Sequence, residues 1–181
     1  MRTLAFDCET TDLKALMGRV LCASFVEIKE EKTKPWTLRG DSRKYKGSAR
    51  IDDSLLCVAI RDTLEEYDMV VSWNGKMFDV PFLNARLAKA GERPFHPHFH
   101  LDAMWYAGGS SMRIGSKKLD VVQKFFSLSQ AKTPISWADW QNAAAGNRKA
   151  MRQVIRHCEA DVLVLREAYW KLLPSVATIH R

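Results

Sequence analysis

Residues 5–13 read AFDCETTDL, an apolar run closed by two carboxylates, Asp7 and Glu9, two positions apart. The run has strand character, and side chains alternate faces along a strand, so Asp7 and Glu9 point the same way. Two like charges about 4 Å apart repel by roughly 4 kcal/mol at an effective dielectric near 20. A chain that builds such a pair needs a reason for it.

Working outward, "RVLCASFVEI" (19–28) is a second apolar run across a polar stretch containing Gly18, which predicts a hairpin with the first. A third short strand is expected around Trp36–Leu38, then a basic loop "GDSRKYKGSAR" (40–50). Residues 52–67 carry apolar side chains at helical spacing behind an Asp cap. "DMVVSWNG" (68–75) reads as a buried strand ending at Gly75, and residues 79–91 as a helix with Pro81 near its start and Gly91 past its end. "FHLDAMW" (99–105) is expected to be a strand, followed by a Gly/Ser loop and a helix at "LDVVQKFFSL" (119–128). Residues 133–146 suggest an irregular or short helical segment. The long final helix runs from about Asn147 to Leu173, with the stripe Met151, Val154, Ile155, Cys158, Val162, Leu165, Tyr169 and Leu172. An antiparallel meander followed by alternating helices and strands gives an α/β fold, a mixed central sheet flanked by helices.

The 181 residues suit one domain, 1–181, and 46% hydrophobic content is that of an ordinary globular chain. No apolar run reaches the roughly 18 residues of a membrane span, and the N-terminus lacks the pattern of a signal peptide. Four scattered cysteines, Cys8, Cys22, Cys57 and Cys158, read as reduced thiols in a cytoplasmic compartment. The net charge of +7 fits a polyanionic partner, of which nucleic acid is the commonest.

Two more acids bear on the opening pair. "SWNGKMFDVPFL" (72–83) sets Asp79 four residues past Gly75, and "RHCEADVLVL" (156–165) sets His157 and Asp161 four apart on one helix face. Asp161 lies beside the apolar stripe, and a buried carboxylate needs a partner. The long helix supplies none on that edge, because Arg148, Arg152 and Arg156 line up on another. Divalent cations resolve all of this: they are hard, take oxygen ligands, and Mg is held by a few carboxylates plus substrate phosphate. Two such ions about 3.5–4 Å apart form the clamp used for in-line displacement at phosphorus. Asp7, Glu9, Asp79 and Asp161 are the candidate ligands for two ions, Mg or Mn.

The three blocks "FDCET", "NGKMFDVPFL" and "HCEADVLVL" resemble, in order, the three exonuclease motifs of the DEDD superfamily, which has the ribonuclease H-like fold. The second block most resembles the proofreading domain of B-family DNA polymerases and related stand-alone exonucleases. Residues 136–174 resemble the C-terminal part of those stand-alone members, so the likeness covers nearly the whole chain, and no polymerase domain is expected. The resemblance implies metal-dependent 3′–5′ hydrolysis of the terminal phosphodiester of single-stranded DNA, releasing nucleoside monophosphates. It implies that Asp7 bridges both metals, that Glu9 and Asp161 complete the tighter site, and that Asp79 holds the second metal largely through water. Asn74 and Phe78 match positions that contact the terminal nucleotides, and Thr10 and Leu13 match those that meet the last base and sugar. The same chemistry on RNA or short oligonucleotides is the nearest alternative. A catalytically silent nucleic-acid-binding module is another, and four intact acids argue against it. The chain departs from the pattern once. The subfamily it resembles has Tyr four residues before the last Asp, whereas the other subfamily has His five before; here His157 occupies the Tyr register. An imidazole suits a general base, and one residue is about 100° of helix rotation.

The alternating His96, His98 and His100 invite a transition-metal reading, but Pro97 disturbs the strand, and a loop leading into Leu101 is the expectation. Asp102 matches a position where the family often has an acid near the site. The arginine ladder reads as a solvated face, and the six tryptophans as mostly core, with Trp137 or Trp140 as candidate stacking platforms for bases.

Overall fold

The computed structural model describes residues 1–30, 33–45, 52–109 and 112–176. Its centre is β1 (Thr3–Thr10), whose Leu4, Ala5 and Phe6 are wholly buried. β2 (Val20–Glu27) pairs with it antiparallel and β3 (Trp36–Arg39) extends that side. On the other side β4 (Met69–Ser72) and β5 (Phe99–Asp102) run parallel to β1, giving the order β3-β2-β1-β4-β5. The carboxyl ends of β1, β4 and β5 therefore open on one edge. This is the mixed, helix-flanked sheet expected from the sequence.

Strand alternation divides β1 between two cores. Leu4, Phe6 and Cys8 pack on one face with α1 (Ser54–Glu65) and α2 (Asp79–Lys89). Ala5 packs on the other, against α3 (Ala103–Gly108), α4 (Leu119–Phe125) and α6 (Arg148–Leu172). Asp7 and Glu9 share the parity of Ala5, so they face α6. There α5 (Trp137–Ala144) joins α6 over Leu21 and Cys22 of the hairpin. Asn147 caps α6 by accepting from the backbone N–H groups of Lys149 and Ala150, and the whole expected stripe except Ile155 is buried.

Several element ends differ from expectation. β4 stops at Ser72, because Asn74 takes a left-handed conformation (φ 67°) that turns the chain into α2. Residues 103–105, expected to continue β5, begin α3 instead: Asp102 accepts from the Met104 N–H and starts a helix. α4 ends at Phe125, short of Leu128. The described part of the basic loop contains a 3₁₀ turn at Arg43–Tyr45, and residues 46–51 lie outside the described residues. All four cysteines are buried and unpaired. Among the described residues no helix is long and apolar enough to cross a membrane.

Asp53 does stand at the N-cap of α1, but its side chain does not cap it. The carboxylate accepts from the Val20 N–H at 2.8 Å and from the Arg86 guanidinium at 2.6 Å, in a fully buried pair. Arg86 also reaches the Ala15 carbonyl at 3.2 Å. One ion pair thus ties α1, α2 and the β1–β2 connection. Breaking a buried pair by deleting one partner leaves an uncompensated charge, at about 3–5 kcal/mol. Asp53→Ala is expected to lose that much stability in urea denaturation.

Candidate active site

β1 delivers Asp7 and Glu9 to the α6 face, and α6 delivers Asp161 and His157 from two successive turns. Asp79 arrives as the first residue of α2, where its carboxylate accepts from the Cys8 N–H at 3.1 Å, at the edge of β1 beyond its pairing with β4. That placement depends on the preceding turn. Gly75 packs so closely on Ser72 that a Cβ there would lie 2.4 Å from the Ser72 hydroxyl oxygen. The Ser72 hydroxyl accepts from the Gly75 N–H at 3.2 Å and lies 2.7 Å from His100 Nε2. Asp102, buried, accepts from the backbone N–H groups of Asn74 and Lys76 at 2.9 and 3.0 Å. The acid that the sequence placed near the site therefore builds the turn that leads to Asp79.

Burial and neighbouring carboxylates raise the pKa values of Asp7 and Glu9. Asp7 is held well above the ordinary carboxylate range, first by loss of water and then by Asp79, Glu9 and Asp161. Glu9 is pushed up to about 8 by burial and by Asp161, against an opposing hydrogen bond from the Trp140 indole N–H at 3.1 Å. Burial lifts Asp79 to about 7, with the Cys8 N–H working against it. Among the described residues, Oδ1 of Asp161 is buried with no hydrogen-bond partner.

The other Asp161 oxygen meets a cation that sequence reasoning missed. Lys132 Nζ lies 2.6 Å from Asp161 Oδ2. Burial opposes the charge on Lys132, but Asp161, Asp7 and Glu9 outweigh it and hold its pKa above the ordinary value. Lys132 comes from the segment before α5, distant in sequence from every acid, and only a basic residue in "AKTPIS" (131–136) marked it. Its neighbour Thr133 orients His157: Nδ1 lies 2.6 Å from the Thr133 carbonyl, to which it donates. That donation leaves Nε2 toward the acids, 4.0 Å from Glu9 Oε1 and 3.9 Å from Asp161 Oδ2. Trp140 stands edge-on to the imidazole at 5.6 Å between centroids.

Among the described residues, the one cluster arranged to hold a metal ion is Asp7, Glu9 and Cys158, with ligand atoms within 4.8 Å of one another. Cys158 acts as a thiol there: burial raises its pKa strongly, and it donates to the Asp7 carbonyl at 3.3 Å. The remaining donors are oxygens, repelling and desolvated, with one oxygen unpartnered. That set fits a hard divalent cation. The histidine cluster does not: His100 is buried against Ser72, with a pKa lowered to about 3 by burial and Lys76, while His96 and His98 are exposed.

The expected substrate contacts line the same edge. Thr10 donates to the Asp12 carbonyl at 2.8 Å, and Leu13 is exposed in the β1–β2 connection. Asn74 and Phe78 flank the turn before Asp79, Phe78 with its ring 5.7 Å from Phe82. The tryptophans are not mostly core. None is fully buried, Trp105, Trp137 and Trp170 are exposed, and Trp140 is engaged with Glu9 rather than free for stacking.

A five-stranded mixed sheet whose central strand carries paired acids against a helix-borne acid is an RNase H-like nuclease fold. The chain belongs to the RNase_H superfamily, whose RNase_H_2 model matches residues 4–173. The family B DNA polymerase from the hyperthermophilic archaeon Pyrobaculum calidifontis has a similar structure, with TM-score 0.73 and 19% identity. The match covers 96% of this chain and 24% of the polymerase chain, and it shows the fold. No curated protein matches by sequence. The resemblance read from the three motifs holds at the level of fold and superfamily.

Raised carboxyl pKa values have a thermodynamic sign. A group with a folded pKa above its unfolded value binds more protons when folded, so its contribution is present below the unfolded pKa and lost as pH rises through the folded one. For Glu9 and Asp79 that window runs from the ordinary carboxylate range up to about 8 and about 7. In chelator, the melting temperature is expected to fall between about pH 5 and pH 8. Adding Mg or Mn at pH 8 is expected to reverse the fall, because a cation binding the ionised cluster stabilises the folded state.

Proposed function

We propose that the protein is a metal-dependent 3′–5′ exonuclease that acts on single-stranded DNA ends and releases nucleoside monophosphates. One observation carries the reading: four acids from β1, α2 and α6 converge on a desolvated cluster with an unpartnered Asp161 oxygen. The motif likeness to DEDD exonucleases supports the direction, and the positive charge supports the substrate class. Asp7, Glu9, Asp79 and Asp161 would hold two divalent ions, Mg or Mn, which would supply Lewis-acid stabilisation of charge at phosphorus.

The chain's own groups do the rest. Asn74, Phe78, Thr10 and Leu13 hold the terminal nucleotides at the carboxyl edge of the sheet. His157, fixed through Nδ1 by Thr133, offers Nε2 to the proton of the attacking water. Lys132 neutralises part of the cluster while it is empty and stands beside Asp161 to meet phosphate charge. Four unpaired buried thiols support a reducing, cytoplasmic setting.

The deciding measurement is mononucleotide release from labelled single-stranded DNA and RNA, with Mg or Mn and then chelator. Release is expected to stop in chelator and in Asp7→Ala, and undiminished release by Asp7→Ala removes the assignment. A preference for RNA moves the reading to the alternative substrate. General-base groups contribute about 10²–10⁴-fold, so His157→Ala is expected to lose activity in that range while metal binding persists. His157→Tyr separates two roles, since it restores most of the rate if the residue only positions water and stays slow if imidazole takes the proton. Blunt duplex is expected to be a poorer substrate than single strand, and affinity to fall steeply with salt.

A further inference from the structure

Trp105 is the one tryptophan on the active-site edge of the parallel strands that projects half its surface to solvent, at 49% exposed. It is the third residue of α3, immediately beyond β5, and Lys76 Nζ lies 5.7 Å from its ring centroid. Lys76 belongs to the turn that ends in Asp79, and Met77 beside it is also exposed. The two partners do not meet by accident of surface packing. The Asp102 carboxylate accepts from Asn74 N–H and Lys76 N–H on one side and from Met104 N–H, at 3.3 Å, on the other. One buried group thus fixes the start of α3, which carries Trp105, together with the lysine turn and the approach to Asp79.

We propose that Trp105 and Lys76 form a platform for the nucleotides behind the 3′ end, Trp105 stacking an unpaired base and Lys76 pairing the adjoining phosphate. The proposal rests on the nucleic-acid reading above and extends it from the scissile nucleotide to the strand behind it. An ammonium near a tryptophan ring marks a face that attracts cations and π systems. An entering base takes that face, and the displaced ammonium remains within reach of the phosphate that the base carries. Such stacking is tolerant of sequence, since every base has a π-face. The platform adjoins Asn74 and Phe78, so it continues the track already assigned to the terminal nucleotides. Its single positive charge complements a phosphodiester, and it commits the surface to unpaired strand rather than to duplex, whose bases are stacked on each other.

The test is fluorescence-anisotropy titration, in chelator so that the strand survives, of labelled oligothymidylate of about 12 nucleotides and of the dinucleotide. Trp105→Ala is expected to weaken the longer strand by roughly 5- to 150-fold, the range for losing one base–aromatic stack, and Trp105→Phe to recover most of it. Lys76→Ala is expected to lower the slope of affinity against salt by about one phosphate contact. The advantage of the long strand over the dinucleotide then collapses in Trp105→Ala. Equal binding of the long strand by wild type and Trp105→Ala overturns the platform, as does an equal loss for both lengths. Failure of the nuclease reading looks different: the wild type binds strand through Trp105 yet releases no mononucleotide with Mg or Mn. A wild type that binds neither length removes both readings.

Discussion

Burial of a cluster of carboxyl groups is the constraint on which this protein's site depends. Asp7, Glu9 and Asp79 all have pKa values driven upward by burial, and in Asp7 and Glu9 by each other or by Asp161. A fold tolerates such a cluster only where surrounding groups answer it. Here the answers are the Lys132 ammonium on Asp161, the Trp140 indole on Glu9 and the Cys8 N–H on Asp79. Each comes from a different element, so the acids also act as the point at which β1, α2, α5 and α6 are joined. Stability and chemical competence pull against one another at this point, as is common where function stores strain.

The supports are as informative as the acids. His157 gains its orientation from a backbone carbonyl, and the turn before Asp79 gains its shape from Ser72, His100 and Asp102. None of these is a reacting group. They fix tautomer, turn and direction, the preorganisation on which electrostatic catalysis depends.

What the sequence revealed followed the range of its signals. Periodicity and ordered motifs are local, so the acids, the long α6 and the mixed sheet were legible. Asp7 and Glu9 on one face follow from strand alternation alone. Lys132 was not legible, because nothing local distinguishes a lysine that folds over an acid from one in solvent. The Asp cap expected before α1 failed for a related reason: Asp53 stands at the N-cap, but Arg86 and the Val20 N–H take its oxygens. The strand expected at 103–105 failed where Asp102 found a backbone donor two residues ahead and began a helix. Trp105 read as core because tryptophan is usually buried, and only the tertiary frame exposes it.

The parity of β1 carries a consequence for how this chain can vary. The strand pairs antiparallel with β2 from Leu4 to Thr10 and parallel with β4 from Thr3 to Ala5, and the register shift lies at the far end, between Glu9 and Thr10. An insertion or deletion of one residue between Thr3 and Asp7 turns both acids into the apolar layer under α1 and α2, and carries Phe6 out of it. Length changes are better borne by the connection after Thr10, where Leu16 and Met17 are exposed and lie outside the strands. The spacing from the first strand residue to Glu9 is therefore the length on which the placement of both acids depends.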